Sequence, residues 1–165
     1  MKNYLKFSSI VEITGGDLDE NNISDIINNA ELKIIQISTY LEMDKLSLIN
    51  EIFKQRPDLT FRVYWFLKED FSCDLSFLSK LDAVKRLSVD SLHRVSNLEV
   101  IQELSLENLK LDVLKLKDYS IIKNLKVDLK SLAISNSATG KVDFDCKWLL
   151  KYKNLRELYL ARFRH

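Results

Sequence analysis

Residues 84–89 read Val84-Lys85-Arg86-Leu87-Ser88-Val89, an aliphatic residue followed three and five positions later by two more. The same spacing returns as Leu106-x-x-Leu109-x-Leu111, Leu129-x-x-Leu132-x-Ile134 and Leu155-x-x-Leu158-x-Leu160. Their central residues, 87, 109, 132 and 158, stand 22, 23 and 26 apart. One match means little in a leucine-rich chain, but four at near-constant spacing indicate an internal repeat. Each copy follows an apolar lead-in of helical or extended-turn character. These are Leu75, Phe77, Leu78 and Leu81; Leu98, Val100, Ile101 and Leu104; Tyr119, Ile121, Ile122 and Leu125; and Phe144, Trp148, Leu149 and Tyr152. A unit this short cannot bury its own apolar face, so it must stack on its neighbours.

Working outward, the N-terminal part predicts longer β-α units in the same sheet. Thr60-x-x-Val63-x-Trp65 puts Val63 24 residues before Leu87, and Leu32-x-x-Ile35-x-Ile37 lies another 28 back. Tyr40, Met43, Leu46, Ile49, Ile52 and Phe53 recur at helical spacing, with Asp44 as the expected N-cap and a stop near Pro57. Ile23, Ile26, Ile27 and Ala30 mark an earlier helix, capped by Asn21 or Asn22. Residues 3–13 alternate as one strand.

The repeat resembles the bacterial leucine-rich repeat proteins of the irregular type, with repeats of 22 to 26 residues. Asp74-Leu75-Ser76-Phe77-Leu78-Ser79-Lys80-Leu81 and Lys153-Asn154-Leu155-Arg156-Glu157-Leu158-Tyr159-Leu160 are typical phrases, and the resemblance covers residues 59–163. It implies an α/β solenoid with a parallel β-sheet on the concave face and helices or turns on the convex face. The expected organisation is one domain, 1–165, in which 1–58 caps the tighter repeats of 59–165. The family often carries an Asn three residues after the last strand leucine. Those places hold Leu92, Leu114, Ser137 and Phe163, so no Asn ladder is expected. The sequence stops at His165 just after a strand, which is expected to be a truncation, an atypical cap or an edge that a partner covers.

Composition narrows the function. The 25 Lys and Arg against 24 Asp and Glu leave a net charge of +1, which argues against a nucleic-acid partner. No stretch approaches 18 uncharged apolar residues and Lys6 and Glu12 interrupt the N-terminal apolar run, so neither a membrane span nor a signal peptide is expected. The expected location is cytoplasmic. Two cysteines and two histidines are too few for a disulfide framework or a zinc site, and no cofactor is expected. Cys73 and Cys146 lie three repeats apart, roughly 14 Å at strand spacing, beyond the reach of a disulfide of about 7 Å. Both are expected as free thiols filling the core.

Alternation along the strands turns the residues between the leucines onto the concave face. The expected rows are Arg62, Arg86, Asn108, Ser131, Glu157; then Tyr64, Ser88, Lys110, Ala133, Tyr159; then Phe66, Asp90, Asp112, Ser135, Ala161. Aromatic and Arg side chains on such a face are the usual anchors of a protein interface. The expected partner-binding set is Arg62, Tyr64, Phe66, Arg86, Ser88, Asp90, Lys110, Asp112 and Tyr159, with Arg62, Tyr64, Phe66 and Arg86 as its centre. The resemblance implies recognition without a reaction. Two alternatives stand beside it: an inhibitor or immunity-type protein that neutralises a toxin or enzyme, and a structural subunit that self-associates near Leu158 and Leu160.

Other motifs read more simply as structure. Asp17-x-Asp19-x-Asn21 lacks the Gly and Glu of a calcium loop, having Asn22 and Asn28 there, and reads as a turn and helix cap. Gly15-Gly16 is a turn without a phosphate-loop pattern. Ser91 and His93 have no orienting acid at a recognisable spacing, and Trp65 and Trp148 read as core or cap residues.

Overall fold

The computed structural model of the chain describes residues 4–7, 9–14, 18–65, 73–92, 94–136 and 142–162. Strands β1 (Tyr4–Phe7) and β2 (Ile10–Ile13) form an antiparallel pair. The segment expected to be one strand is therefore two. Helix α1 (Glu20–Ile27), β3 (Ile34–Ile37), α2 (Met43–Gln55) and β4 (Thr60–Trp65) follow. Then come β5 (Cys73–Asp74), β6 (Arg86–Ser91), β7 (Val95–Ser96), β8 (Asn108–Val113), β9 (Ser131–Asn136) and β10 (Glu157–Ala161). Four 3₁₀ segments, η1 (Ser76–Lys80), η2 (Leu98–Glu103), η3 (Ser120–Asn124) and η4 (Cys146–Lys151), carry the lead-in residues.

The main sheet runs β1-β2-β3-β4-β6-β8-β9-β10, and from β2 onward its seven strands are parallel. A parallel return needs a crossover, and here each crossover is a helix or a 3₁₀ segment laid on one face of the sheet. The crossovers pack in chain order, α1 on α2, α2 on η1, then η1 through η4. On the crossover side β5 and β7 add a short parallel ladder, and Asp118 and Asp143 form one further bridge. Among the described residues no helix is long and apolar enough to cross a membrane.

The core lies between sheet and crossovers. Leu87, Leu109 and Leu132 stack in register with Leu158, and Val89, Leu111 and Ile134 with Leu160. Against them sit Leu78, Ile101, Ile122 and Tyr119, all buried. Strand β10 is the last in the order, so its inward residues lack a neighbour on one side: Leu158 is 49% exposed where Leu132 is 0%. Cys73 is buried and Cys146 is exposed, so only the first of the two free thiols fills the core. Burial pushes the Cys73 thiol up to about 12.

Several local features differ from expectation. Asp19, not Asn21 or Asn22, caps α1: its carboxylate accepts from the Asn22 N–H at 2.9 Å. Glu42 occupies the N-cap of α2 without a side-chain bond, and Asp44 sits in the first turn, where it favours the helix dipole. The end of α1 has no basic residue of its own; Arg56 supplies one from the end of α2. Its guanidinium donates to the carbonyls of Ile27, Asn29 and Leu32 and, in bidentate fashion, to Asp58 at 2.9 and 2.8 Å. All five of its N–H donors are thus engaged. Asp74, Asp118 and Asp145 each accept from the backbone N–H two residues on, at 2.8, 2.7 and 2.8 Å, and so shape the start of η1, η3 and η4. The second repeat uses Asn97 instead, in the left-handed region at φ 55, donating its side-chain amide to Asp74. Asn136, one residue before the expected ladder position, is buried and reaches the Arg162 carbonyl at 3.5 Å.

The register of β4 is the main correction. Spacing aligned Val63 with Leu87, but the sheet pairs Phe61 with Leu87 and Val63 with Val89, and Ile35 with Phe61. Leu59, not Thr60, takes the inward place that Val84 holds before β6: it is 0% exposed, whereas Thr60 is only partly buried. The turn into β4 is therefore one residue shorter than the turn into β6. Inward and outward sides are as expected, because a shift of two preserves parity. The rows across the outer face are displaced by one step.

Candidate binding face

The outer face of the sheet is the side away from the helices and 3₁₀ segments. Strands β8 and β9 alternate cleanly, with Leu109, Leu111, Leu132 and Ile134 inward. The observed rows are Arg62–Ser88–Lys110–Ala133–Tyr159, Tyr64–Asp90–Asp112–Ser135–Ala161 and Arg86–Asn108–Ser131–Glu157. Gln36 of β3 continues the first row beyond Arg62. Parallel pairing holds each row at about 4.8 Å per strand.

Around Asp90 five of these side chains form one polar network. Arg62 Nε donates to Asp90 Oδ2 at 2.6 Å and Nη1 donates to Gln36 Oε1 at 3.1 Å. The Ser88 hydroxyl donates to the same Asp90 oxygen at 3.2 Å. Lys110 Nζ lies 2.8 Å from Oδ1, an ion pair rather than a directed hydrogen bond. The Arg62 guanidinium also lies over the Tyr64 ring, 4.1 Å from its centroid. Burial follows from this arrangement. Ser88 and Asp90 point outward yet are buried, because Arg62 and Lys110 on the flanking strands close over them. Strand β6 is therefore buried from Leu87 to Ser91, with Leu87 and Val89 in the core and Ser88 and Asp90 under these flanking side chains.

The expected site residues thus separate. Arg62, Tyr64, Ser88, Asp90 and Lys110 meet in the network. Asp112 is partly buried and pairs in register with Asp90. Arg86 lies one row away, partly exposed, and Tyr159 stands at the β10 edge, 63% exposed. Phe66 and His93 lie outside the described residues, as does the Trp65 side chain. Ser91 is buried at the end of β6. Trp148 packs edge-on to Phe144, with Lys123 above its ring at 4.5 Å. Gln36 was missed, although a polar residue between the buried Ile35 and Ile37 is the alternation signal of an outward position.

Between β3 and β9 the outer face holds a groove of about 440 Å³. Thr60, Asn108, Ser131 and Ala133 give it small or neutral lining, and Arg62, Arg86 and Lys110 give it charge, against Asp90 as the one acid. Among the described residues no group of three or more His, Cys, Asp or Glu is placed to hold a metal ion. What the face offers chemically is hydrogen-bond donors, cationic groups and, at its edge, an aromatic ring.

No protein-family model matches the chain. No curated protein matches it either. Among solved structures it is similar to internalin C2 from Listeria monocytogenes, with a TM-score of 0.39 and 18% identity over 91% of this chain and 64% of that one. The chain accordingly spans less than two thirds of the length of that protein.

Proposed function

We propose that the chain is one leucine-rich repeat domain that recognises a protein partner, without catalysis, through the outer face of its sheet. The observation that carries this reading is the row Arg62–Ser88–Lys110–Ala133–Tyr159. It places two cationic side chains and an exposed tyrosine on a hydrogen-bonded platform. A face already ordered before association loses little entropy on binding, and Arg and Tyr are the residue types that most often dominate interface energy. An inhibitor or immunity-type role is the narrower form of the same reading, in which the partner is a toxin or an enzyme.

The test uses Ala133→Arg, which puts a long side chain in the middle of the row without touching the core. Glu99→Arg, on η2 at the opposite side, is the control. Wild type, both variants and a blank matrix serve as baits for a lysate, and captured proteins are quantified. A protein held by wild type and Glu99→Arg but lost by Ala133→Arg supports the reading. Equal capture by all three baits places binding elsewhere and refutes it.

A second reading is favoured by the β10 end. Leu150, Leu158 and Tyr159 are 71%, 49% and 63% exposed there, beside the strand that ends the sheet among the described residues. Self-association through that edge predicts a sedimentation coefficient that rises with concentration and becomes constant in Leu158→Glu.

A further inference from the structure

The groove on the outer face carries an unbalanced charge. Arg62, Arg86 and Lys110 line it, and the one acid among them, Asp90, is already committed to Arg62 and Lys110. Arg86 makes no ion pair or side-chain hydrogen bond among the described residues. Glu107, an acid whose carboxylate Arg86 helps to stabilise, is engaged by Lys130 at 2.7 Å. Beside Arg86 in the same row, the Asn108 and Ser131 side chains also make no hydrogen bond among the described residues. A guanidinium fork with an amide and a hydroxyl at strand spacing matches the acceptor geometry of a carboxylate.

We propose that this groove is a socket for a carboxylate side chain, centred on Arg86, so that the protein partner docks through an acidic segment. This rests on the reading of the outer face as a protein-binding surface and specifies the chemistry that surface selects. The occupant is a discrete acid rather than a nucleic-acid backbone. A polyphosphate needs a continuous basic track, whereas this groove is flanked by Glu107 and Glu157 at one end of the strands and by Asp112 towards the other. The whole chain carries only +1. Attraction therefore falls on one short stretch of an approaching surface, and Arg86 is its focus.

The test pans a display library of short random peptides against the full chain, then measures selected peptides by fluorescence anisotropy. The expected result is enrichment of Asp or Glu at a fixed position and binding about tenfold weaker to Arg86→Gln. Changing that peptide acid to its amide should weaken wild-type binding equally and add nothing in Arg86→Gln. Lys153→Gln, a remote exposed cation, should bind as wild type. Asn108→Ala serves as a second variant, so that misfolding of one, checked by circular dichroism, does not decide the matter. Selected peptides without acidic enrichment, or equal binding to Arg86→Gln and Asn108→Ala, overturn the socket. So does tighter binding of a single-stranded oligonucleotide than of any peptide. If non-acidic peptides still lose binding in Ala133→Arg, the socket fails while the outer-face reading survives; peptides insensitive to every outer-face variant overturn both.

Discussion

Replacing Asp90 by Asn should destabilise the fold by about 2 kcal/mol, and the figure follows from what the carboxylate holds. Its side chain is 9% exposed and faces Arg62 at 2.6 Å, Lys110 at 2.8 Å and the Ser88 hydroxyl at 3.2 Å. Breaking a fully buried pair costs about 3–5 kcal/mol, because a desolvated charge is left alone. Here water offsets part of that cost, since the Arg62 side chain is 24% exposed and the Lys110 side chain 48%. Arg62 also keeps Gln36 and the Tyr64 ring. Lys110, half in solvent, contributes no more than about 0.5 kcal/mol.

Urea unfolding is the assay. With a slope of about 2 kcal/mol per M, the midpoint of Asp90→Asn should fall by about 1 M, and that of Lys110→Ala by less than about 0.3 M. A double-mutant cycle of Asp90→Asn with Arg62→Ala should show coupling of about 1–2 kcal/mol. Three outcomes refute the reasoning: a fall below about 0.2 M for Asp90→Asn, an equal loss in Lys110→Ala, or strict additivity of the Arg62 and Asp90 changes. The first and third mean that the network forms without holding the strands together; the second means that Lys110 carries as much of the load as Arg62.

Two further outcomes test the scaffold. Arg56→Ala leaves the carbonyls of Ile27, Asn29 and Leu32 without their donor. It should cost about 2–3 kcal/mol in thermal or urea unfolding, and Arg56→Lys should recover less than half, because an ammonium cannot form the bidentate pair with Asp58. Hydrogen bonds hold the carboxyls of Asp74 and Asp118 below their ordinary 3.8, from Asn97 and then Ser76 to the first and from Ser120 to the second. A depressed folded-state value means that their stabilisation is fully present above 3.8 and is lost as pH falls through the lower folded values. Asp74→Asn/Asp118→Asn keeps an acceptor for the serine N–H but cannot titrate, so its melting temperature should fall less steeply than wild type between about pH 4 and pH 2; parallel curves count against the assignment.

How far the sequence reaches depends on the kind of information each feature needs. The aliphatic spacing around Leu87, Leu109, Leu132 and Leu158 is a property of one strand at a time, and it placed the strands and their mutual register. The register of β4 needed knowledge of a turn one residue shorter: the template selects Thr60 before Val63 and Trp65, whereas Leu59 stands only two residues before Phe61. Burial on the outer face was not legible from alternation, which gives the side a residue faces and not what its neighbours cover. Ser88 and Asp90 are hidden by side chains from flanking strands, Arg62 lying 28 residues before Asp90 and Lys110 lying 20 after it. Arg56 gathers carbonyls from 24 to 29 residues upstream, a relation with no local pattern at all. By contrast the Asp residues opening η1, η3 and η4 were readable, as an acid two positions before Ser76, Ser120 and Lys147, each ahead of an apolar turn. Cys146 is exposed on η4, the last crossover among the described residues, and the repeat spacing does not distinguish its exposure from the burial of Cys73.

The distribution of bulk across the outer face bears on how a partner would engage it. On β4, β6 and β8 the outward side chains Arg62, Asp90 and Lys110 are bonded to one another. On β9 they are Ser131, Ala133 and Ser135, the smallest set on the sheet. On β10 Tyr159 rises again beside Ala133. Two strand spacings, roughly 10 Å, separate Lys110 from Tyr159, and the sheet between them is nearly bare. Groups held in the network gain little on binding, since their hydrogen bonds are already made in the free protein. Among the described residues, the groups with capacity left include Arg86, Asn108 and Ser131 in one row and Tyr159 in the next. On the proposed reading, then, the locked group around Asp90 fixes the position of Lys110 and the groove wall, while affinity arises from Arg86 at the start of β6 and over β8 to β10. Of the expected centre, Arg62, Tyr64, Phe66 and Arg86, this reading keeps Arg86 as an anchor and gives Arg62 and Tyr64 a supporting part. It also explains why Ala133→Arg, which fills the bare strip, is a sharper probe of the face than truncating Tyr64, whose ring already serves Arg62.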